Sequence, residues 1–123
     1  MPKITIYQKP TCSTCRKVSA AIKDSGVSFS SINYYLDPIP KSKIKSLLLK
    51  MNISAGDLLR VKDPLYKKLG LGNKNYTQEE VIGLMVKYPD LIQRPIVEKG
   101  AKAILARPAE RLLEILSASP KKE

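Results

Sequence analysis

Residues 3–7, Lys3-Ile4-Thr5-Ile6-Tyr7, alternate polar and apolar side chains and are rich in β-branched residues, so they predict a first strand. Gln8-Lys9-Pro10-Thr11 breaks that run. From Ser13 the period changes to a helical one, with Val18, Ala21 and Ile22 on one face and Gly26 as the stop. Residues 27–35 alternate again through Val27, Phe29 and Ile32, which predicts a second strand. Asp37-Pro38-Ile39-Pro40 reads as a loop, and Ile44, Leu47, Leu48 and Met51 then follow the i, i+3, i+4, i+7 rule of a second helix. Ser54 caps a short helix within residues 54–60. Residues 62–75 are turn-rich. Thr77 and Glu80 make a capping box ahead of Val81, Ile82, Met85 and Tyr88, and Pro89 ends that helix. Ile96-Val97-Glu98 and residues 101–105 flank Lys99-Gly100 as a hairpin. Pro108 suits the first position of a last helix carrying Leu112, Leu113, Ile115 and Leu116.

The order β-α-β, helices, β-β-α predicts an α/β fold: a mixed sheet of about four strands flanked by helices, with a helical segment inserted between its halves. At 123 residues the chain reads as one domain over 1–118, followed by a polar tail at 119–123. A 43% hydrophobic and 27% charged composition is that of a globular protein large enough to bury a core. No apolar run reaches the ~20 residues of a bilayer span, and the first residues carry no charged-then-apolar leader, so a cytoplasmic location and no membrane partner are expected.

Lys and Arg number 22 against 11 Asp and Glu, a net charge of +11. That balance favours polyanions. The lysines are dispersed, however, and neither a reading motif nor a run of stacking aromatics accompanies them, so nucleic acid is not the expected partner. The absence of His removes the Ser-His triad and every His-ligated metal site. The two cysteines, Cys12 and Cys15, cannot complete a four-ligand zinc site within one chain without carboxylates, and no metal is expected. A Cys-x-x-Cys directly after a strand and at a helix start reads instead as a redox pair, the alternative being two incidental thiols. The free N–H groups and positive dipole end of that helix stabilise a thiolate and an anion at the same spot. Cys12, in the first turn, is expected to be the more exposed and acidic thiol, with Cys15 one turn in.

Among 17 Lys there are only five Arg: Arg16, Arg60, Arg94, Arg107 and Arg111. Guanidinium is the choice where planar, multi-donor pairing with an oxyanion is needed. Arg94-Pro95 and Arg107-Pro108 sit at breaks between elements, and Arg60 ends a short helix. Arg111 is expected to pair with Glu110 or Glu114 along the last helix.

With these residues assembled, the chain resembles the glutaredoxin-coupled arsenate reductase family, whose fold is thioredoxin-like. The matching residues are Ile4-Thr5-Ile6-Tyr7, Pro10-x-Cys12-x-Thr14-x-Arg16, Leu58-Leu59-Arg60, Tyr66, Leu69-Gly70-Leu71, Arg94-Pro95-Ile96-Val97 and Arg107-Pro108-x-Glu110-x-x-Leu113-x-Ile115-Leu116. The resemblance implies that Cys12 attacks arsenate while Arg60, Arg94 and Arg107 surround the oxyanion. It implies a cis proline at Pro95, with Arg16 and Pro95 in supporting roles. It implies no tightly bound cofactor, a monomer, and glutathione with glutaredoxin, or thioredoxin, as electron donor. Two departures stand out. Family enzymes often carry a His where Gln8 stands, so Cys12 would depend on the helix end, Arg16, Lys17 and the three arginines. Well-known members have Ser at the place of Cys15, so here Cys15 could resolve the Cys12 adduct as an internal disulfide.

A thiol pair at this position also resembles Spx-type redox-sensing regulators that bind RNA polymerase. Ala103-Ile104-Leu105-Ala106-Arg107-Pro108 and Arg60 separate the two readings, because the regulator branch lacks the Arg-Pro element. A family member acting on another substrate is the remaining alternative.

Overall fold

The computed structural model describes residues 4–9, 11–72, 76–107 and 111–112. Four strands form one mixed sheet in the order β2-β1-β3-β4. They are β1, Ile4–Gln8; β2, Phe29–Asn33; β3, Ile96–Lys99; and β4, Lys102–Leu105. β1 runs parallel to β2, with Ile4 opposite Phe29, and antiparallel to β3, with Ile6 opposite Val97. β3 and β4 form the antiparallel hairpin. This is the expected α/β architecture of thioredoxin type.

Alternation along β1 sorts its side chains onto two faces. Ile4 and Ile6 join Val97 of β3 in a core completed by Val18, Ile22, Ala106 and Leu112. Burying each Ile or Val of this set contributes about 1.5–3 kcal/mol. On the other face the Tyr7 hydroxyl donates to Glu98 Oε1 at 2.8 Å, both residues being buried. Burial, then that hydrogen bond, then the Glu98 charge raise the Tyr7 pKa, so the phenol stays protonated.

Helix α1, Ser13–Asp24, follows β1 and buries Cys15, Val18 and Ile22, the last two in the cluster with Ile4, Ile6 and Val97 of the sheet. Cys15 takes the inward place that the sequence pattern gave to Ala21, which is exposed because it lies about 100° around the helix from Ile22. Val27, expected in the second strand, precedes it and is 38% exposed. The hairpin turn falls at Gly100-Ala101 rather than Lys99-Gly100, because Lys99 pairs with Lys102 and Gly100 supplies a φ of 60°.

The chain packs as two compact units, residues 1–37 with 94–123 and residues 38–93. The second is the inserted helical segment, built from α2 (Lys41–Met51), α3 (Ala55–Leu58), α4 (Pro64–Lys68) and α5 (Gln78–Lys87). α2 and α3 both pack on α5, burying Ile44, Leu47, Leu58, Ile82 and Met85. Ser54 and Thr77 each complete a reciprocal capping box, with Asp57 and Glu80. α4 lies inside the stretch read as turns. Its signal was Asp63-Pro64: the Asp63 carboxylate accepts the Leu65 N–H at 2.9 Å and Pro64 occupies the first turn. Pro89 ends α5 as expected and opens a single 3-10 turn, Pro89–Leu91. Of the expected last helix only Arg111 and Leu112 are described, so Pro108, the pairing of Arg111 with Glu110 or Glu114, and the tail lie outside the described residues. Among the described residues no helix is long and apolar enough to cross a membrane.

Candidate active site at the start of the first helix

Cys12 is the N-cap of α1 itself, with an extended backbone (φ −78°, ψ 125°) and a half-buried side chain. Its Sγ accepts the Cys15 N–H at 3.4 Å, the role a Ser or Asp oxygen plays at ordinary helix starts. The Cys12 N–H donates to the Lys9 carbonyl at 2.9 Å, and its carbonyl accepts the Arg16 N–H at 3.0 Å. The sulfur is therefore held at the N-terminal, positive dipole end of α1, where it satisfies one of the first-turn N–H groups.

Burial works to raise the Cys12 pKa. The Cys15 backbone N–H, the Cys15 side chain and the Arg94 guanidinium outweigh it and hold the thiol below its ordinary value. Cys15 behaves oppositely. It is fully buried, and burial pushes its pKa up to about 12, with the Cys12 charge adding to the rise and a Lys9 backbone hydrogen bond opposing it. The two sulfurs are thus driven apart, Cys12 towards the more acidic thiol and Cys15 towards the less acidic one.

Arg94 enters this site from the loop before β3, across a cis Arg94–Pro95 peptide bond. It is buried at 7% exposure, and its Nε has no hydrogen-bond partner. Its Nη1 donates to the Tyr35 hydroxyl at 3.3 Å. Burial acts to lower the Arg94 pKa, but Tyr34, Tyr35 and the Cys12 sulfur outweigh it, so the guanidinium remains charged. A charged, buried guanidinium with an unsatisfied Nε–H beside an acidified thiol is an incomplete arrangement, of the kind that an anion completes. Arg107 is exposed and its Nη1 donates to the Arg94 carbonyl at 3.1 Å, which ties the loop after β4 to the loop that carries Arg94.

Cys12, Cys15, Arg94, Pro95 and Arg107 all belong to the first unit. Arg60 belongs to the second, where its Nη1 meets Asp63 Oδ2 at 3.0 Å and the Asp90 carbonyl at 3.3 Å. Arg16 is exposed, and the guanidinium acting on Cys12 is that of Arg94. Gln8, at the place of the family His, is buried and otherwise engaged. Its amide donates to the Ser31 hydroxyl, and its carbonyl accepts from the Ser19 hydroxyl at 2.9 Å, linking β1 to both β2 and α1. Sequence reasoning missed Tyr34 and Tyr35. Their one signal was an aromatic pair at the end of the second strand, which alternation alone treats as strand. Among the described residues no three His, Cys, Asp or Glu lie together as a metal site.

The model of the ArsC family matches residues 7–115, a span running from β1 past Arg107. The arsenate reductase of Escherichia coli K12 is 38% identical over 116 residues, covering 94% of this chain and 82% of that protein. The uncharacterized protein YfgD of the same bacterium is also 38% identical over 116 residues, covering 93% and 97%. The solved structure of an arsenate reductase from Vibrio cholerae superposes with a TM-score of 0.88 at 30% identity, covering 93% of this chain and 98% of that one. A thioredoxin-like sheet, a thiol at its first helix start, and a family match spanning nearly all of both place the chain in the ArsC family.

Proposed function

We propose that the protein is an arsenate reductase in which Cys12 is the nucleophile. The observation carrying this reading is the pairing of an acidified N-cap thiol with the charged, buried Arg94 guanidinium whose Nε lacks a partner. Arsenate is tetrahedral and anionic, and the guanidinium with the helix-end N–H groups supplies the donors it requires. The Cys12 thiolate attacks As(V), a sulfur–arsenic bond forms, and an oxygen leaves as water. A second thiol then attacks the Cys12 sulfur. A disulfide forms, the sulfur–arsenic electron pair stays on arsenic, and As(III) departs as arsenite. Two electrons pass from two thiols to one arsenic. Cys15 is the internal candidate for that second thiol and glutathione the external one. Glutaredoxin or thioredoxin restores the reduced enzyme. Arg107 supports Arg94 through its carbonyl, and Arg60 is the third arginine that the family resemblance assigns to the oxyanion. The reaction needs no tightly bound cofactor and suits a reducing cytoplasm.

A second reading keeps the chemistry and changes the substrate, because the donors around Cys12 recognise charge and shape rather than arsenic itself. The test of both is arsenate-dependent thiol oxidation, with wild type beside Cys12→Ser. Loss of thiols on adding arsenate, absent in the variant, is expected. Wild type inert to arsenate removes arsenate as substrate, and an active Cys12→Ser removes Cys12 as nucleophile.

A further inference from the structure

Arg94 has to hold one orientation to act on Cys12, yet it comes from a loop and its Nε has no partner. Its fixed contacts lie on the turn after β2. Tyr35 is half-buried there, and its backbone N–H donates to Asn33 Oδ1 at 3.1 Å. The Leu36 and Asp37 N–H groups both donate to the Asn33 carbonyl at 3.0 Å, which closes the turn. The Tyr35 ring rests on Tyr34, with centroids 5.1 Å apart and planes inclined by 31°, and Tyr34 is only 1% exposed. Two cations address the Tyr35 ring. Lys9 Nζ lies 4.7 Å from its centroid, and the Arg94 guanidinium carbon lies at 6.0 Å, while Arg94 Nη1 reaches the phenolic oxygen at 3.3 Å. Lys9 is also the residue whose backbone carbonyl holds the Cys12 N–H.

We propose that Tyr35 is a positioning residue for Arg94, its ring and hydroxyl fixing the guanidinium beside the Cys12 sulfur and spacing it from Lys9. The inference deepens the oxyanion reading and rests on it for the task Arg94 performs. A ring face attracts both cations, which in its absence would repel each other near the thiol. The hydroxyl holds the guanidinium of a long, rotamer-rich side chain in one orientation by accepting its Nη1–H. The charged and titratable groups at Cys12 are Cys15 and Arg94, and behind Arg94 stand Tyr34, Tyr35 and Lys9. Tyr35 therefore acts on the thiol through Arg94 and touches no reacting atom.

The test is the pH dependence of Cys12 alkylation by iodoacetamide, read by peptide mass spectrometry in the reduced full chain. It needs no arsenate, so it stands even if arsenate is not the substrate. Tyr35→Leu is expected to raise the Cys12 midpoint by about half a unit to one unit, slowing alkylation below the midpoint about three- to tenfold. Tyr35→Phe keeps the ring and is expected to shift it less, and it reports on the hydroxyl even if the Leu variant folds poorly. In an Arg94→Ala background the same Tyr35 change is expected to add nothing, because the group it positions is gone. A Tyr35→Phe midpoint equal to that of wild type overturns the role of the hydroxyl. Unchanged midpoints in both variants, or an equal shift with and without Arg94, overturn the proposal as a whole.

Discussion

Deleting the Cys15 thiol is the perturbation that most sharply separates two ways of finishing the reaction. A pKa of about 12 leaves Cys15 with a thiolate fraction of about 10⁻⁵ at pH 7, some 3,000-fold below an ordinary thiol near 8.5. The rarer thiolate is the more reactive one. With a Brønsted coefficient of about 0.4–0.5 over that interval, nucleophilicity recovers about 40-fold, so the net penalty is about 10². Against it stands proximity, since the Cys12 and Cys15 side chains lie within hydrogen-bonding reach of each other. Well-oriented intramolecular attack reaches effective molarities of about 10⁵ M, roughly 10⁸ above millimolar external thiol. Even an alignment ten-thousandfold worse than that limit keeps the internal route about 10² ahead. Burial thus costs less than closeness gains, and the disulfide is the expected product state. The assay is a single turnover with stoichiometric arsenate and no added thiol, quenched with an alkylating agent. Both free thiols should vanish, with a mass lower by two hydrogens. Because the Cys15 pKa is raised, its thiolate becomes more abundant with increasing pH, and this step should accelerate about tenfold per unit between pH 7 and 9. If Cys15→Ser turns over as fast as wild type with glutathione and glutaredoxin, Cys15 is a bystander and the proximity argument is refuted.

The opposed pKa shifts also predict that iodoacetamide below pH 7 modifies Cys12 first, and preferential Cys15 labelling in a peptide map would contradict the geometry. Arg94→Ala should lower kcat/KM for arsenate by about 10²–10³, as removal of one preorganised oxyanion donor does elsewhere, and Arg94→Lys should recover little because the ammonium lacks the fork. Arg107→Ala, which removes a contact to the Arg94 carbonyl, should cost less than Arg94→Ala in the same steady-state assay. Gln8→Ala leaves the Ser19 and Ser31 hydroxyls without their buried partner and should destabilise the fold by about 1–3 kcal/mol, read as a lower urea midpoint at constant slope.

Much of the fold was legible because its signals are local. Alternation in β1, the 3.6 period of α1 and α2, and the Thr77–Glu80 capping box depend on neighbours a few residues apart, which a sequence displays directly. The thiol site was legible for the same reason, since a strand, a break and a helix start fix where Cys12 must stand. The sequence did not locate the turn at Gly100-Ala101, where pairing of Lys99 with Lys102 decides the register. Nor did it reveal α4, whose single turn is too short to show a period. At the site, composition marked arginine as the scarce cation but could not rank the five. Only folding brings Arg94 from across 82 residues of chain to where it acts on Cys12, with its Nη1 on the Tyr35 hydroxyl and Arg107 on its carbonyl. It also made Gln8, whose amide holds no charge, a buried link between two strands and a helix. Propensity and periodicity act over one turn or one pleat, and so they are written along the chain. The pKa of a thiol depends on which charges and how little water lie within a few ångströms, and only the folded packing of distant segments sets that.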